Sequence, residues 1–387
     1  MDPALQQLTE RVRAAAAERT PLAIRAGGSK AFYGNASAAS EVLDPRPYRG
    51  IVSYEPSELV ITARCGTPLA ELEAALAERG QMLAFEPPHF GPDPENRGQT
   101  PISADTAEDA ATLGGAVAAG LAGPRRAAFG PTGGGVRDFV LGASLLDGRA
   151  NVLRFGGTVM KNVAGYDVAR LLAGSLGTLG VLLDLSLKVL PRPLAESTLR
   201  FAMSQDEALA RVNEWAGQPL PVSATLWAND LLYLRLSGAR AAVEAAAARL
   251  AGACGGERID DEGAGALWRG VRDQRHLFFA GDDPGERPLW RLALPSTTPP
   301  LALPGSTLIE WGGAQRWLRS EAGAEAIRAQ ARQAGGHATL FRGGSERLRA
   351  AGAFTPLAAP LAAIHRRLKA EFDPAHLFNP GRMYPEL

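Results

Sequence analysis

The sequence predicts an α+β fold of two domains and a C-terminal tail, and three observations carry that reading. Short strands rich in β-branched residues alternate with helices and glycine turns up to Pro191-Arg192-Pro193, a domain boundary by its composition. Beyond it, a strand–helix–strand–strand–helix pattern fits an antiparallel sheet covered by helices. A last helix stops at Asp373-Pro374 and is followed by a tight Asn379-Pro380-Gly381 turn. The expected domains cover residues 1–195 and 196–345, with the tail at 346–387.

The elements follow in order. "MDPALQQLTERVRAAAAER" reads as an amphipathic charged helix and not as a signal peptide. Leu22 to Ile24 is a strand running into a glycine turn, and "ELVITARCG" is a second strand. Pro68 opens a helix with leucines at 69, 72 and 76 and Gly80 as its C-cap. Residues 90–109 are polar and Pro-rich, a surface loop. "TLGGAVAAG" enters a small-residue helix, and Asp147-Gly148 turns a hairpin within "DFVLGASLLDGRANVLRFGG". "KNVAGYDVARLLAGSLGTLGV" (161–181) gives a helix and then a strand, interrupted by Gly165, Gly174, Gly177 and Gly180. In the second domain the expectations are a strand at 199–203, a helix at 206–216 and strands near Ala224 and Leu232. An Ala-rich helix at 239–251 follows, and "HATLFRG" lies near the end of the domain.

Composition excludes several classes. The 41 basic and 41 acidic residues cancel, and no basic tract exceeds the "HRRLK" around Arg366, which argues against nucleic acid as a partner. Cys65 and Cys254 lie far apart, so cysteines build neither a zinc or iron–sulfur site nor a disulfide framework. No apolar run approaches the length of a transmembrane segment, so the expectation is a soluble, cytoplasmic protein.

Glycine makes up about 11% of the chain, 44 residues, against roughly 7% in average proteins. Three clusters stand out: Gly27-Gly28-Ser29, Gly114-Gly115 after Thr112, and Gly177-Thr178-Leu179-Gly180. Backbone N–H groups in such turns form concave anion sites that a pyrophosphate can approach closely. Arg25 and Lys30 add positive charge beside the first cluster. Each cluster alone also fits a plain turn. None matches GxGxxG or the P-loop, which argues against a nicotinamide Rossmann site or an NTPase.

The order "IRAGGSK … ELVITARCGTPLAELEAAL … TLGGAVAAGLAGPRRAAFG … RDFVLGASLLDG … KNVAGYDVARLLAGSLGTLGVL" resembles the FAD-binding domain of the vanillyl-alcohol-oxidase (PCMH) type over residues 20–195. The finer pattern "GPRR…FG…RDFVLG…LRFGGTVMKNVAGYD", with the ending "FDPAHLFNPGRM", is similar to the smaller FAD-binding subunits of bacterial glycolate oxidases over nearly the whole chain. The resemblance implies a PCMH-type flavin domain of two subdomains, a smaller α+β cap with an antiparallel sheet, and a tail returning to the flavin domain. It implies that Arg25, Ala26, Gly27, Gly28, Ser29 and Lys30, together with Thr112, Leu113, Gly114 and Gly115, wrap the FAD pyrophosphate. Gly177, Thr178, Gly180 and Val181 are then expected against the adenosine half, with Gly165 and Tyr166 holding the supporting helix. The implied partners are a larger FAD-binding subunit, an iron–sulfur subunit and a small 2-hydroxy acid such as glycolate, with membrane association only through partner subunits.

Departures from the family patterns narrow the expectation. Covalent members carry a histidine in or near the first loop, but "RAGGSKAFYGN" has neither His nor Cys, so FAD is expected to bind non-covalently. The larger type of subunit carries a metal- and substrate-binding histidine cluster. Here His89, His276, His337, His365 and His376 form neither HxH nor HxxxH, so no metal site is expected and the catalytic base is unassigned. His337 reads as a substrate base or, more simply, as a strand-end residue; His89 lies on a loop able to face a flavin. Arg125-Arg126 fits a pair that steers an anionic substrate or binds FAD phosphate as well as a solvated one. Asn379 fits a flavin contact as well as a turn, and Lys161 fits an approach to the flavin ring, with an exposed lysine as the default. Two other functions stay open: a stand-alone FAD-dependent dehydrogenase of a 2-hydroxy acid or alcohol, and a non-catalytic assembly subunit with a flavin fold.

Overall fold

A computed structural model describes residues 2–90, 111–130, 133–158, 166–280 and 287–387. The expected loop beyond Phe90, Lys161 and Gly165 lie outside the described residues. The chain forms two compact units: Met1–Leu121 with Gly135–Pro191 and Pro356–Leu387, and Ala122–Gly134 with Arg192–Thr355.

In the first unit, Asp2 caps helix α1 (Pro3–Glu18), accepting from Ala4 N at 2.9 Å. Its buried Leu8, Val12 and Ala15 recur on one helical face. They pack on Leu22, Leu43, Leu146 and Val181, and on Leu377 and Phe378 from the far end of the chain. Strand β1 (Leu22–Ile24) pairs in parallel with β2 (Glu41–Leu43), and Phe378 bridges to Leu22, so the tail docks on β1. Then come β3 (Ile51–Glu55), β4 (Val60–Arg64), helix α2 (Leu69–Ala77), β5 (Gln81–Met82) and helix α3 (Leu113–Ala119). Strands β6 (Val140–Leu146) and β7 (Val152–Gly156), helix α4 (Val168–Leu171), β8 (Val181–Lys188) and β9 (Leu190–Pro191) complete the series. The main sheet runs β3-β4-β8-β6-β7, antiparallel throughout. The β6–β7 hairpin pairs Leu146 with Val152, so its turn is longer than the Asp147-Gly148 pair alone. The Asp147 carboxylate shapes it, accepting from Arg149 N and Asn151 N.

The second unit holds an eight-stranded antiparallel sheet. Its left part is built from β10 (Ala195–Ala202), helix α5 (Gln205–Ala216), β11 (Val222–Ala228), β12 (Leu231–Gly238), helix α6 (Arg240–Cys254) and β13 (Glu257–Ile259). Ser204 and Glu207 close a capping box on α5. Alternate residues Leu232, Leu234 and Leu236 of β12 point into one core with Val212 and Trp215 of α5 and Val243 and Leu250 of α6. Farther along, Trp290, Leu292, Leu318 and Leu340 from the sheet pack under Ile327 and Ala331 of a helix at Ala324–Gln333. The Pro124–Phe129 turn belongs to this unit although it lies early in the sequence: Trp311 Nε1 donates to Gly123 O at 3.1 Å.

Candidate functional site

The first unit contains a cavity of about 380 Å³, within the roughly 300–1,000 Å³ range of small-molecule sites. The 25–30 loop forms one wall, Thr112, Gly115, Ala118 and Ala119 a second, and Asn379 and Arg382 of the tail close it. The loop turns at Gly28, whose φ of +76° suits glycine. No carbonyl or side chain among the described residues accepts from the N–H groups of Gly27, Gly28 or Ser29. Arg25, Lys30 and Arg382 bring three cations to the lining, and among the described residues no Asp or Glu lines it. Lys30 Nζ donates to Ser29 Oγ at 3.3 Å and lies 5.4 Å from the Phe90 ring centroid. A cradle of backbone N–H groups and cations without acids suits an anion, and its glycines admit one with a diphosphate's bulk. These residues fit the pyrophosphate of FAD.

Of the expected site residues, Arg25, Ala26, Gly27, Gly28, Ser29, Lys30, Thr112 and Gly115 line the cavity. Leu113 and Gly114 stand behind it, because their N–H groups donate to Thr67 O and Cys65 O. A Cβ on Gly114 would lie 2.7 Å from Cys65 Cβ, so this glycine makes room for Cys65 at the end of strand β4. Gly177, Thr178, Gly180 and Val181 also back the wall, and it is their neighbour Leu176 that reaches the cavity. A Cβ on Gly177 would meet Asn379 Nδ2 at 2.7 Å, and one on Gly180 would meet Leu146 O at 2.6 Å. These glycines admit other parts of the chain, the tail foremost. Tyr166 is 94% exposed.

Asn379 does more than turn the chain. Its Oδ1 accepts from Ile24 N at 2.8 Å and its Nδ2 donates to Leu176 O at 2.6 Å, joining β1 to the Gly177 segment. Arg382 escaped the sequence reading; its only signal was a cation following the Asn-Pro-Gly turn. Its Nη2 donates to Ala31 O at 2.6 Å and Lys30 O at 3.3 Å. Burial, and then the nearby charge of Arg25, push its pKa down.

The remaining candidates are dispersed. Arg125 is buried and pairs with Glu196 at 2.6 Å, and Arg126 stacks 4.8 Å from the Trp311 ring centroid, so neither is a freely solvated charge. His89 Nε2 sits 3.0 Å from Glu73 Oε2 on α2. His365 Nδ1 lies 2.9 Å from Leu361 O, while His337 begins an edge strand at His337–Arg342 and is exposed. Burial lowers the pKa of His276, whose Nδ1 accepts from Phe278 N. Among the described residues no three His, Cys, Asp or Glu side chains gather to hold a metal ion, and no helix is long and apolar enough to cross a membrane.

Comparison with known proteins agrees with the cavity's chemistry. A family model described as an FAD binding domain matches residues 4–92. Glycolate oxidase subunit GlcD of Bacillus subtilis (strain 168) is 26% identical over 50% of this chain and 37% of its own length. Among solved structures, alkyldihydroxyacetonephosphate synthase superposes with a TM-score of 0.62 at 13% identity, covering 97% of this chain and 75% of that one, a likeness of fold. Glycolate oxidase subunit GlcE of Escherichia coli (strain K12) is 49% identical over 99% of this chain and 98% of its own length. Similarity of that extent, together with the match to an FAD binding domain, means that the chain belongs to the family of the glycolate oxidase subunit GlcE.

Proposed function

We propose that this chain is the smaller FAD-binding subunit of a complex that oxidises glycolate to glyoxylate. The observation that carries the reading is the end-to-end match to a glycolate oxidase subunit. The cationic cavity, lined by no Asp or Glu among the described residues, supports FAD as the cofactor. Bound FAD supplies the acceptor for a hydride equivalent from the substrate's CH–OH group. The 25–30 loop, Thr112 and Gly115 hold the pyrophosphate, while Leu113, Gly114 and the 177–181 segment set the wall behind them. With no His or Cys in the first loop, the flavin is held without a covalent bond.

Oxidising a 2-hydroxy acid also needs a base for the hydroxyl proton and a cation for the carboxylate. The described histidines of this chain are dispersed, and His89 and His365 are held against Glu73 and Leu361 O. The base is therefore assigned to a larger FAD-binding partner subunit, and an iron–sulfur subunit takes electrons onward. Any membrane association comes through those partners. The test is reconstitution: the purified chain carries FAD yet reduces no dye with glycolate until the partner subunits are added. A chain without FAD overturns the cofactor reading. Robust dye reduction by the isolated chain overturns the division of labour, with His89 and His337 the first to mutate.

A further inference from the structure

Arg382 poses an electrostatic problem. Its side chain is half-buried against the 25–30 loop, reached from the opposite end of the chain, 352 residues from Lys30. Gly34 makes its place: a Cβ there would lie 2.9 Å from Arg382 O and 3.4 Å from Nε. The guanidinium donates to the carbonyls of Lys30 and Ala31, and no carboxylate among the described residues pairs with it. The charge of Arg25 adds to its burial in disfavouring the charged form. Arg25 in turn packs over Gly28, where a Cβ would come within 3.2 Å of its Nε, and pairs with no acid among the described residues. Two guanidinium groups thus line one cavity with no carboxylate among the described residues between them.

The tail is fixed firmly enough to hold Arg382 there. Asn379 N donates to Leu22 O at 2.9 Å, and Asn35 N donates to Arg382 O at 2.9 Å. A cation so fixed, half-buried beside a like charge, is unfavourable unless an anion completes the site. Guanidinium forks match phosphate oxygens in geometry as well as in charge.

We propose that Arg382, delivered by the C-terminal tail, forms with Arg25 a two-guanidinium seat for the pyrophosphate of FAD, so that the cofactor fastens the tail to the first loop. The inference rests on the FAD reading above and adds to it a specific residue from outside the glycine loops. Arg382 is a binding residue and not a catalytic one.

The test titrates the full, flavin-stripped chain with FAD and with riboflavin, which lacks phosphates, and follows flavin fluorescence. Arg382→Ala is expected to weaken FAD about tenfold to a hundredfold, the value of a charge-assisted hydrogen bond, while leaving riboflavin affinity unchanged. The salt dependence of FAD binding should flatten in the variant, because one ion pair is gone. Arg382→Lys keeps the charge without the fork and should fall between; it also serves if the alanine variant does not fold. Unchanged FAD affinity in either folded variant overturns the proposal. An equal loss for FAD and riboflavin also overturns it, because Arg382 then only shapes the loop through the Lys30 and Ala31 carbonyls. Failure of the wild-type chain to bind FAD is a separate result that removes the cofactor reading itself.

Discussion

Lys369 Nζ lies 2.8 Å from Asp373 Oδ2 across the end of the last helix, Ala359–Phe372, and the two side chains are 1% and 0% exposed. The ammonium also donates to Thr178 O and Phe378 O, both at 2.8 Å, so all three of its protons are used. Asp373 accepts from Leu377 N and Phe378 N. Burial pushes the lysine pKa down, and Asp373 opposes the shift. One ion pair thus joins the helix, the Gly177 segment and the tail that carries Asn379 and Arg382.

Removing one partner of this pair should be costly. Lys369→Met leaves the Asp373 carboxylate buried without its counter-ion, for which a loss of about 3–5 kcal/mol is expected. Urea denaturation measures it directly. The tail should also become open to proteolysis before the rest of the chain unfolds. A midpoint within error of the wild type would mean that the pair contributes nothing to holding the tail.

Neighbouring glycines at the start of α3 should separate folding from cofactor binding. Gly114 faces Cys65, where an added Cβ would come within 3.0 Å of the carbonyl oxygen as well. Gly114→Ala therefore overpacks the core and should cost about 1–3 kcal/mol. Gly115 lines the cavity, and a Cβ there meets only Thr112 Oγ1 at 3.2 Å. Gly115→Ala should melt nearly as the wild type does but carry less flavin. Thermal melts and flavin content of both variants check this, and the reverse ranking would place the wrong glycine at the cavity.

These contrasts explain how much was legible in the sequence. The glycine turn at 25–30 and the entry to α3 could be read because their residue types suit only a few backbone shapes. Strands β2 and β3 were missed: one has three residues, and the other exposes four of its five, so neither carries an alternating pattern. The clusters around Gly114, Gly177 and Gly180 read as ligand contacts, yet what approaches them is Cys65, Asn379 and Leu146. A glycine records that something comes close and not what it is. Arg382 was invisible for a related reason: its meaning depends on Arg25, and only the fold brings the two together.

Acid should weaken the second unit through Glu196. Its Oε1 accepts from Arg125 Nη2 and from Ser237 Oγ, each at 2.6 Å. Burial alone would raise its pKa, but Arg235, Ser237 and Arg125 together bring it below its ordinary 4.5. A depressed carboxylate contributes stability that is present above the ordinary value and is lost as pH falls through the folded one. Glu196→Gln should be less stable than the wild type at roughly pH 6, and the gap should close as the pH falls through the lowered value of the folded state. The side chain is partly exposed, so the gap should be modest and shrink in salt. A gap independent of pH would assign the effect to hydrogen bonding alone.

Gly28 offers the cleanest separation of backbone strain from ligand binding, because the chain contains its control. Gly28 has φ +76° and Gly80 has φ +63°, so alanine at either position is forced into the left-handed region at about 1–2 kcal/mol. At Gly80 nothing lies within 4 Å of the added Cβ, whereas at Gly28 the Arg25 guanidinium stands 3.2 Å away, beside the cavity. Gly28→Ala and Gly80→Ala should therefore lose similar stability, yet only Gly28→Ala should shift the Arg25 guanidinium and weaken the cradle. Flavin released into the supernatant by acid precipitation gives the occupancy of each variant. It should be near that of the wild type for Gly80→Ala and lower for Gly28→Ala. Equal occupancy in the two variants would mean that the loop tolerates a methyl group where the pyrophosphate is expected, and the cofactor would then have to lie elsewhere along the cavity. Flavin that stays with the precipitate in the wild-type chain would instead point to a covalent attachment outside the first loop.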